Sequence, residues 1–317
     1  MRMLLLSRQF PLFAAVLALA PAWSALSAQA VAPKFAWPAG TSADLVTRTV
    51  AKSNVPGQPD STVTVTRSRL AVARHAEGLQ VQTGPGTVES GPTTGPSGIS
   101  SAAMAAMRST YIVSTSGVFL RLDDTLATKQ QMEALLAPLL QQLASAPPAT
   151  IAAVRKSMSI QSIAATVALG WETTNADFTA RSWAVGDTLV RMSDLPFPGA
   201  DGLTFQARRV VRYEGTADCP ADSQLSACWK FGTKLVITRE TMKPAMLAML
   251  KQMGIADESM LDNVPVPETT SLTTMLVESR TLRPAESVTD VSVNMQSPLT
   301  GAIETRSTTR ASYRWSK

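Results

Sequence analysis

The chain has 317 residues, one histidine, two cysteines and a formal net charge of +5, with 45% hydrophobic and 5% aromatic residues. A packed core is therefore available and wholesale disorder is excluded. The mild basic surplus contains no cationic cluster longer than the pairs Arg155-Lys156 and Arg208-Arg209, so no nucleic-acid partner is predicted. So few aromatics also argue against a carbohydrate surface paved with rings and against the girdles of a membrane barrel.

The opening stretch MRMLLLSRQFPLFAAVLALAPAWSALSAQA carries Arg2 and Arg8 as its only charges, an apolar run from Phe10 to Ala20, and small residues at Ala28 and Ala30. That layout predicts residues 1–30 as a secretory signal peptide, too short to span a bilayer. With no cysteine after the apolar run and no twin-arginine pair, a lipid anchor is not expected and the general export route is. No later window is apolar enough for a span, so residues 31–317 are expected to be exported to the periplasm as a single antiparallel-sheet domain without a transmembrane segment.

Thr41–Ser53 and Ser61–Arg74 alternate Thr or Val with polar residues around the turn cluster NVPGQPD, which predicts a hairpin. Glu77-Gly78 turns the chain into a third strand, LQVQT. Arg67 and Arg69 share a face with Val63 and Val65, so that face should be half buried at most. Residues 83–100 are rich in Gly and Pro and read as a loop. They lack the lysine and strand–helix context of a phosphate-binding turn. Ser109–Leu122 reads as a tight hairpin turning at Ser116-Gly117.

The period then changes. Met132, Leu135, Leu136, Leu139, Leu140 and Leu143 recur at helical spacing, with Pro138 expected to kink or split the helix. A second helix is predicted from about Thr150 to Asn175, with Ile160, Ile163, Val167 and Trp171 on one stripe and a break near Ser157 or Ser159. These helical inserts, at about 124–178, carry little charge and should cover an apolar surface.

Strands return at Arg181–Val190, followed by the turn cluster SDLPFPGADG. Leu203–Gly215 and Cys228–Glu240 should pair around a loop that holds both cysteines. Trp229, Phe231, Thr233, Leu235 and Ile237 share one face of the second strand. A helix at about 240–254, closed by Gly254, precedes a three-strand meander turning near Arg283-Pro284 and Pro298–Gly301. About eleven strands in local hairpins predict an α+β fold: a large, curved, half-barrel-like antiparallel sheet with apolar helical inserts packed on one face.

Cys219 and Cys228 could be a metal site, a redox pair or a staple. Zinc needs four ligands, and the one histidine, His75, is distant; the spacing is not C-x-x-C. In an oxidising compartment the pair should form a disulfide, worth about 2–3 kcal/mol.

No catalytic residue, metal site or cofactor is expected. His75 sits beside a turn and reads as a solvated turn residue. No G-x-S-x-G or S-x-x-K motif occurs. Asp123-Asp124 precedes a helix, where capping explains it. Glu172 with Asp177 is the other conceivable carboxylate pair. Asp257, Glu258 and Asp262 lack the spacing of a calcium loop. Met242, Met246, Met249 and Met253 fall on one helical stripe, read either as a core face or as an adaptable apolar surface for a lipid, lipopeptide or partner chain. With Leu135 and Leu139 they are the candidate ligand-binding residues; a copper role is weaker, with no histidine beside them.

Many antiparallel strands with apolar helices inserted midway and late resemble, over most of the mature chain, the half-barrel of periplasmic lipoprotein carriers. The strand SWAVGD and the closing threonine-rich meander resemble exported bacterial proteins that bear only a domain-of-unknown-function label. The first resemblance implies a non-enzymatic carrier holding a hydrophobic ligand or lipoprotein between sheet and helices. Two alternatives stand beside it: a structural envelope protein acting through a sheet edge, and a carboxylate-dependent hydrolase using Asp124 or Glu172.

Overall fold

The structure, a computed structural model, describes residues 30–54, 59–93, 100–144, 148–157, 159–197, 203–252, 266–297 and 301–316. Residues 1–29 of the predicted signal peptide, Gly254, and Asp257, Glu258 and Asp262 lie outside the described residues.

Strands β1 (Ser42–Ser53), β2 (Ser61–His75), β3 (Gly78–Thr83) and β4 (Thr87–Ser90) open the fold. Helix α1 (Ser101–Ala105) and the hairpin β5 (Ser109–Val113) and β6 (Phe119–Leu122) follow. The helical insert comprises α2 (Thr125–Gln142), α3 (Pro148–Ser157), α4 (Ile160–Trp171), a π turn (Glu172–Ala176) and the short α5 (Asp177–Thr179). Then come β7 (Thr188–Pro196), β8 (Thr204–Ala217), β9 (Cys228–Ile237), α6 (Arg239–Gln252), β10 (Glu268–Glu278), β11 (Pro284–Ser297) and β12 (Gly301–Ser316).

All twelve strands form one antiparallel sheet in the order β6-β5-β3-β2-β1-β12-β11-β10-β9-β8-β7, with β4 also paired to β2. Neighbours in this order are mostly neighbours in sequence, as hairpin logic predicts. The exception is central: β1 pairs with β12 along its whole length, from Ser42 opposite Ser316 to Ser53 opposite Thr305.

The edge strands β6 and β7 are the two strands that the helical insert connects. Laid flat, eleven strands would hold these edges about 48 Å apart at ~4.8 Å per strand. Yet α4, twelve residues and so about 18 Å long, contacts both. The sheet is therefore rolled, and α4 lies across the gap between its edges.

Three sequence expectations are corrected in detail. The Gly/Pro-rich loop contains β4, because β2 is longer than β3 and leaves Val65–Arg67 to pair with Thr87–Ser90. Gly84 and Gly86 make the link; a Cβ on Gly84 would lie 2.3 Å from the Met107 carbonyl oxygen. Pro138 does not split α2, which runs unbroken through it. The strand expected at 181–190 begins only at Thr188 and continues to Pro196, taking in the first four residues of the expected turn cluster. Gly186, at φ +91, turns the chain first, its N–H bonding the Tyr213 carbonyl, and pairing with β8 then carries the strand on. The break between α3 and α4 falls as expected, with the Ser159 hydroxyl capping α4 through the Ser162 N–H.

The inner face of the sheet is filled at one end by interlocked rings. Phe35, Trp37, Trp171 and Trp315 form one cluster with Ala43, Leu70 and Val81. Phe178, Trp183, Tyr213 and Phe231 form a second with Val211 and Val277. Three indole N–H groups reach backbone carbonyls: Trp171 to Gly117 at 2.7 Å, Trp183 to Phe178 at 2.8 Å and Trp315 to Pro284 at 2.7 Å. Burial raises the phenol pKa of Tyr111 and Tyr313 above the ordinary range.

Beyond the rings the inner face becomes a hydroxyl surface. Thr64, Thr49, Thr309, Thr289, Thr273 and Thr233 lie opposite one another in a single row across six adjacent strands. Thr49 and Thr309 hydroxyls lie 3.1 Å apart, as do those of Thr273 and Thr289. Threonine suits a strand through its branched Cβ while keeping a polar group on the face.

Candidate functional site

The predicted disulfide is present: Cys219 and Cys228 are bonded, with Cα atoms 5.1 Å apart. It closes the loop between β8 and β9, and that loop folds back over the ring clusters. Its Ser223 is buried, and Leu225 packs against the cluster containing Trp315. The staple holds a flap over the aromatic end.

Among the described residues, the carboxylates singled out in the sequence each have a partner. Asp124 caps α2, its side chain accepting from the Ala127 N–H at 3.1 Å. Asp123 accepts from the Gln80 amide at 2.6 Å, and this bond, with Arg121 adding to it, lowers its pKa. Asp177 and Glu172 converge on Arg209 of β8. Asp177 Oδ2 lies 2.6 Å from Arg209 Nε, and Glu172 Oε2 lies 3.8 Å from Nη2. Asp177 and Arg209 are both buried, and the pair pins the start of α5 to the sheet. His75 ends β2, where its Nδ1 accepts from the Glu77 N–H at 3.2 Å.

The helical insert is packed more loosely than the rings. In α4 only Trp171 is buried; Ile160, Ile163, Val167 and Leu169 are half-buried. Among the described side chains of α6 only Ala245 is buried. Met242 packs on the cluster of Leu195, Phe205, Ala207 and Ile237, whereas Met246 and Met249 are half-buried; Met253 lies outside the described residues. The methionine stripe thus has one member seated on a core cluster and two further along at intermediate cover.

A groove of about 540 Å³ runs between α2 and the α3–α4 pair. Met132, Leu136, Ala137, Leu140 and Ile160 line it with apolar surface, and Lys129, Glu133 and Arg155 bring charge to its rim. Of the two leucines proposed from the sequence, Leu135 is buried and faces α1 beside Ala103 and Met107. Leu139 is half-buried. The groove instead takes Met132, Leu136 and Leu140, which repeat every fourth residue on the adjacent stripe of α2. Their spacing was visible; which stripe turns towards α4 depends on packing. Among the described residues no helix is long and apolar enough to cross a membrane, and no group of three or more His, Cys, Asp or Glu side chains could hold a metal ion.

The fold places the chain among proteins built on one large antiparallel sheet with a helical cover. No family model matches it, and no curated protein does. Among solved structures the chain is similar to lipovitellin, described for its lipid–protein interactions, with 8% identity and a TM-score of 0.41 over 88% of this chain. The chain spans 26% of that protein's length.

Proposed function

We propose that the protein is an exported, non-enzymatic binder of a hydrophobic or acyl-bearing molecule, which it takes between the helices of the insert. The observation that carries this reading is the groove between α2 and the α3–α4 pair. Its volume of about 540 Å³ falls within the 300–1,000 Å³ span of small-molecule sites, and its apolar floor with a charged rim suits a ligand with a greasy body and a polar head. The half-covered apolar side chains of α4 and α6 supply further surface that a ligand would bury. The threonine row makes the inner sheet a poor seat for a purely hydrocarbon ligand, which favours the helical layer. Export is supported by the disulfide, which suits an oxidising compartment.

Native mass spectrometry of gently purified mature protein, followed by titration with a long-chain fatty acid, tests the proposal. A bound or acquired ligand is expected in the native chain and absent in Ala137→Phe, where a ring fills the groove from an exposed position. A clean apo mass with no uptake would overturn it.

A second reading, an envelope protein acting through a sheet edge, has support in β7. That strand ends the sheet and leaves Val190 and Met192 exposed on its outer side. Cross-linking in intact cells through a photoreactive residue at Met192 would yield a protein adduct on this reading.

A further inference from the structure

The outer face of the sheet, away from the rings and helices, sets like charges against each other. Arg48 on β1 lies directly opposite Arg310 on β12, and Lys52 lies directly opposite Arg306. Like charges in register on one face of an antiparallel pair destabilise it. The carboxylates nearby relieve only half of this arrangement. Glu304 holds Arg306 at 2.5 Å and Glu286 holds Arg310 at 2.5 Å. Among the described residues, Arg48 and Lys52 have no carboxylate within ion-pair distance.

The same place is concave. A depression of about 440 Å³ is lined by Lys52, Arg306, Thr270, Ser292, Thr308 and Asp290, with Val50 and Leu272 beside them. Asp290 accepts from the Thr308 hydroxyl at 2.5 Å, so one carboxylate oxygen there is already engaged. The hydroxyls of Thr270 and Ser292 and the two cations are the donors a phosphate would need. Apolar side chains are interleaved with the cations: Val63, Val50 and Leu272 lie on one cross-strand row that also holds the bonded pair Thr308 and Asp290, and Val63 and Leu272 are among the exposed large hydrophobics. Cations that reach phosphates while aliphatic groups meet the boundary beneath them match the chemistry of a lipid surface better than that of a dissolved anion.

We propose that this outer face seats on an anionic phospholipid surface, with a headgroup phosphate held in the depression between Lys52 and Arg306. The inference is separate from the groove proposed above, since it uses the opposite side of the sheet and none of the helical insert.

Co-sedimentation of the mature chain with phosphatidylcholine vesicles, with and without phosphatidylglycerol, tests it. Binding is expected only with phosphatidylglycerol, and is expected to be lost in high salt. The double variant Arg48→Gln/Lys52→Gln should bind about 25-fold more weakly, at roughly fivefold per cation removed. Its thermal midpoint should hold or rise, because the opposed charges are gone; a lowered midpoint with unchanged vesicle binding would mean the cations are structural and would overturn the proposal. Equal binding to neutral vesicles would overturn it too. So would inorganic phosphate perturbing Lys52 and Arg306 in solution while vesicles fail to bind. The groove variant Ala137→Phe should bind vesicles like the native chain, which keeps the two readings apart.

Discussion

The aromatic end of the rolled sheet and the helical insert across its gap draw on similar apolar residue types and pack them to different degrees. At the aromatic end, Trp183, Trp315, Tyr213, Phe178 and Phe231 are fully buried, and three indoles are tied to carbonyls. In the insert, α4 buries only its last residue, Trp171, which belongs to the ring cluster. The insert is thus anchored at its C-terminal end, by Trp171 and by Asp177 on Arg209, while the rest of α4 keeps its large apolar side chains at intermediate cover and α2 buries Met132, Leu135 and Leu136 but leaves Leu139 and Leu140 half-buried. The difference separates a region that supplies stability from one with surface left to offer a ligand.

Substitutions should split along that line. The largest effect is expected from Trp171→Ala, which opens a cavity among Phe35, Trp37 and Tyr111 and leaves the Gly117 carbonyl unpaired. A loss of about 3–5 kcal/mol in urea unfolding is expected. Arg209→Ala comes close behind, at about 3 kcal/mol, because it leaves the buried Asp177 carboxylate with only the more distant Arg191, at 4.0 Å. The double variant Arg209→Met/Asp177→Leu should recover most of that loss. If it does not, the pair does more than pin the insert. Replacing Cys219 and Cys228 by Ser should cost about 2–3 kcal/mol through loop closure and free the flap carrying Leu225.

Ala137→Phe lies on the other side of the line. Its unfolding midpoint should stay within about 0.5 kcal/mol of the native value while ligand uptake disappears. A large stability loss there would erase the proposed distinction between anchor and working surface. The smallest expected effect is a pH dependence. Asp123 has its folded pKa lowered, chiefly by the Gln80 amide and then by Arg121. Its contribution is therefore present above the unfolded carboxylate value of about 3.9 and fades as pH falls through the folded one. Asp123→Asn should lower stability at neutral pH and match the native chain in acid, as read by urea unfolding at both.

Much of the sheet was legible because its connections are local. The hairpins of β1 with β2, β5 with β6, β8 with β9, and the closing meander each follow from alternation and turn residues within about fifteen positions of one another. The cap at Asp124 was legible for the same reason, since a side chain there meets an N–H three residues on, and so was a break near Ser159, though not that its hydroxyl caps the next helix. The start of β7 was misplaced because Trp183 looks like a strand residue; it makes only an isolated bridge, to Val31. The stripe of α2 that lines the groove, Met132, Leu136 and Leu140, was not legible, since Leu135 and Leu136 are equally apolar and only the neighbouring helices distinguish their sides.

By itself the sequence determined the parts whose partners are close along the chain: the hairpins, the capped helices, and a disulfide joining residues nine apart. Tertiary structure alone decided how β1 meets β12, and with it the six-threonine row, the opposed cations of the outer face and the rolling that lets α4 touch both edges. Each depends on a register set between distant segments, where one residue of slip would turn every side chain to the opposite face. Local propensity carries no information about that choice; the burial of the rings on one side of the sheet does.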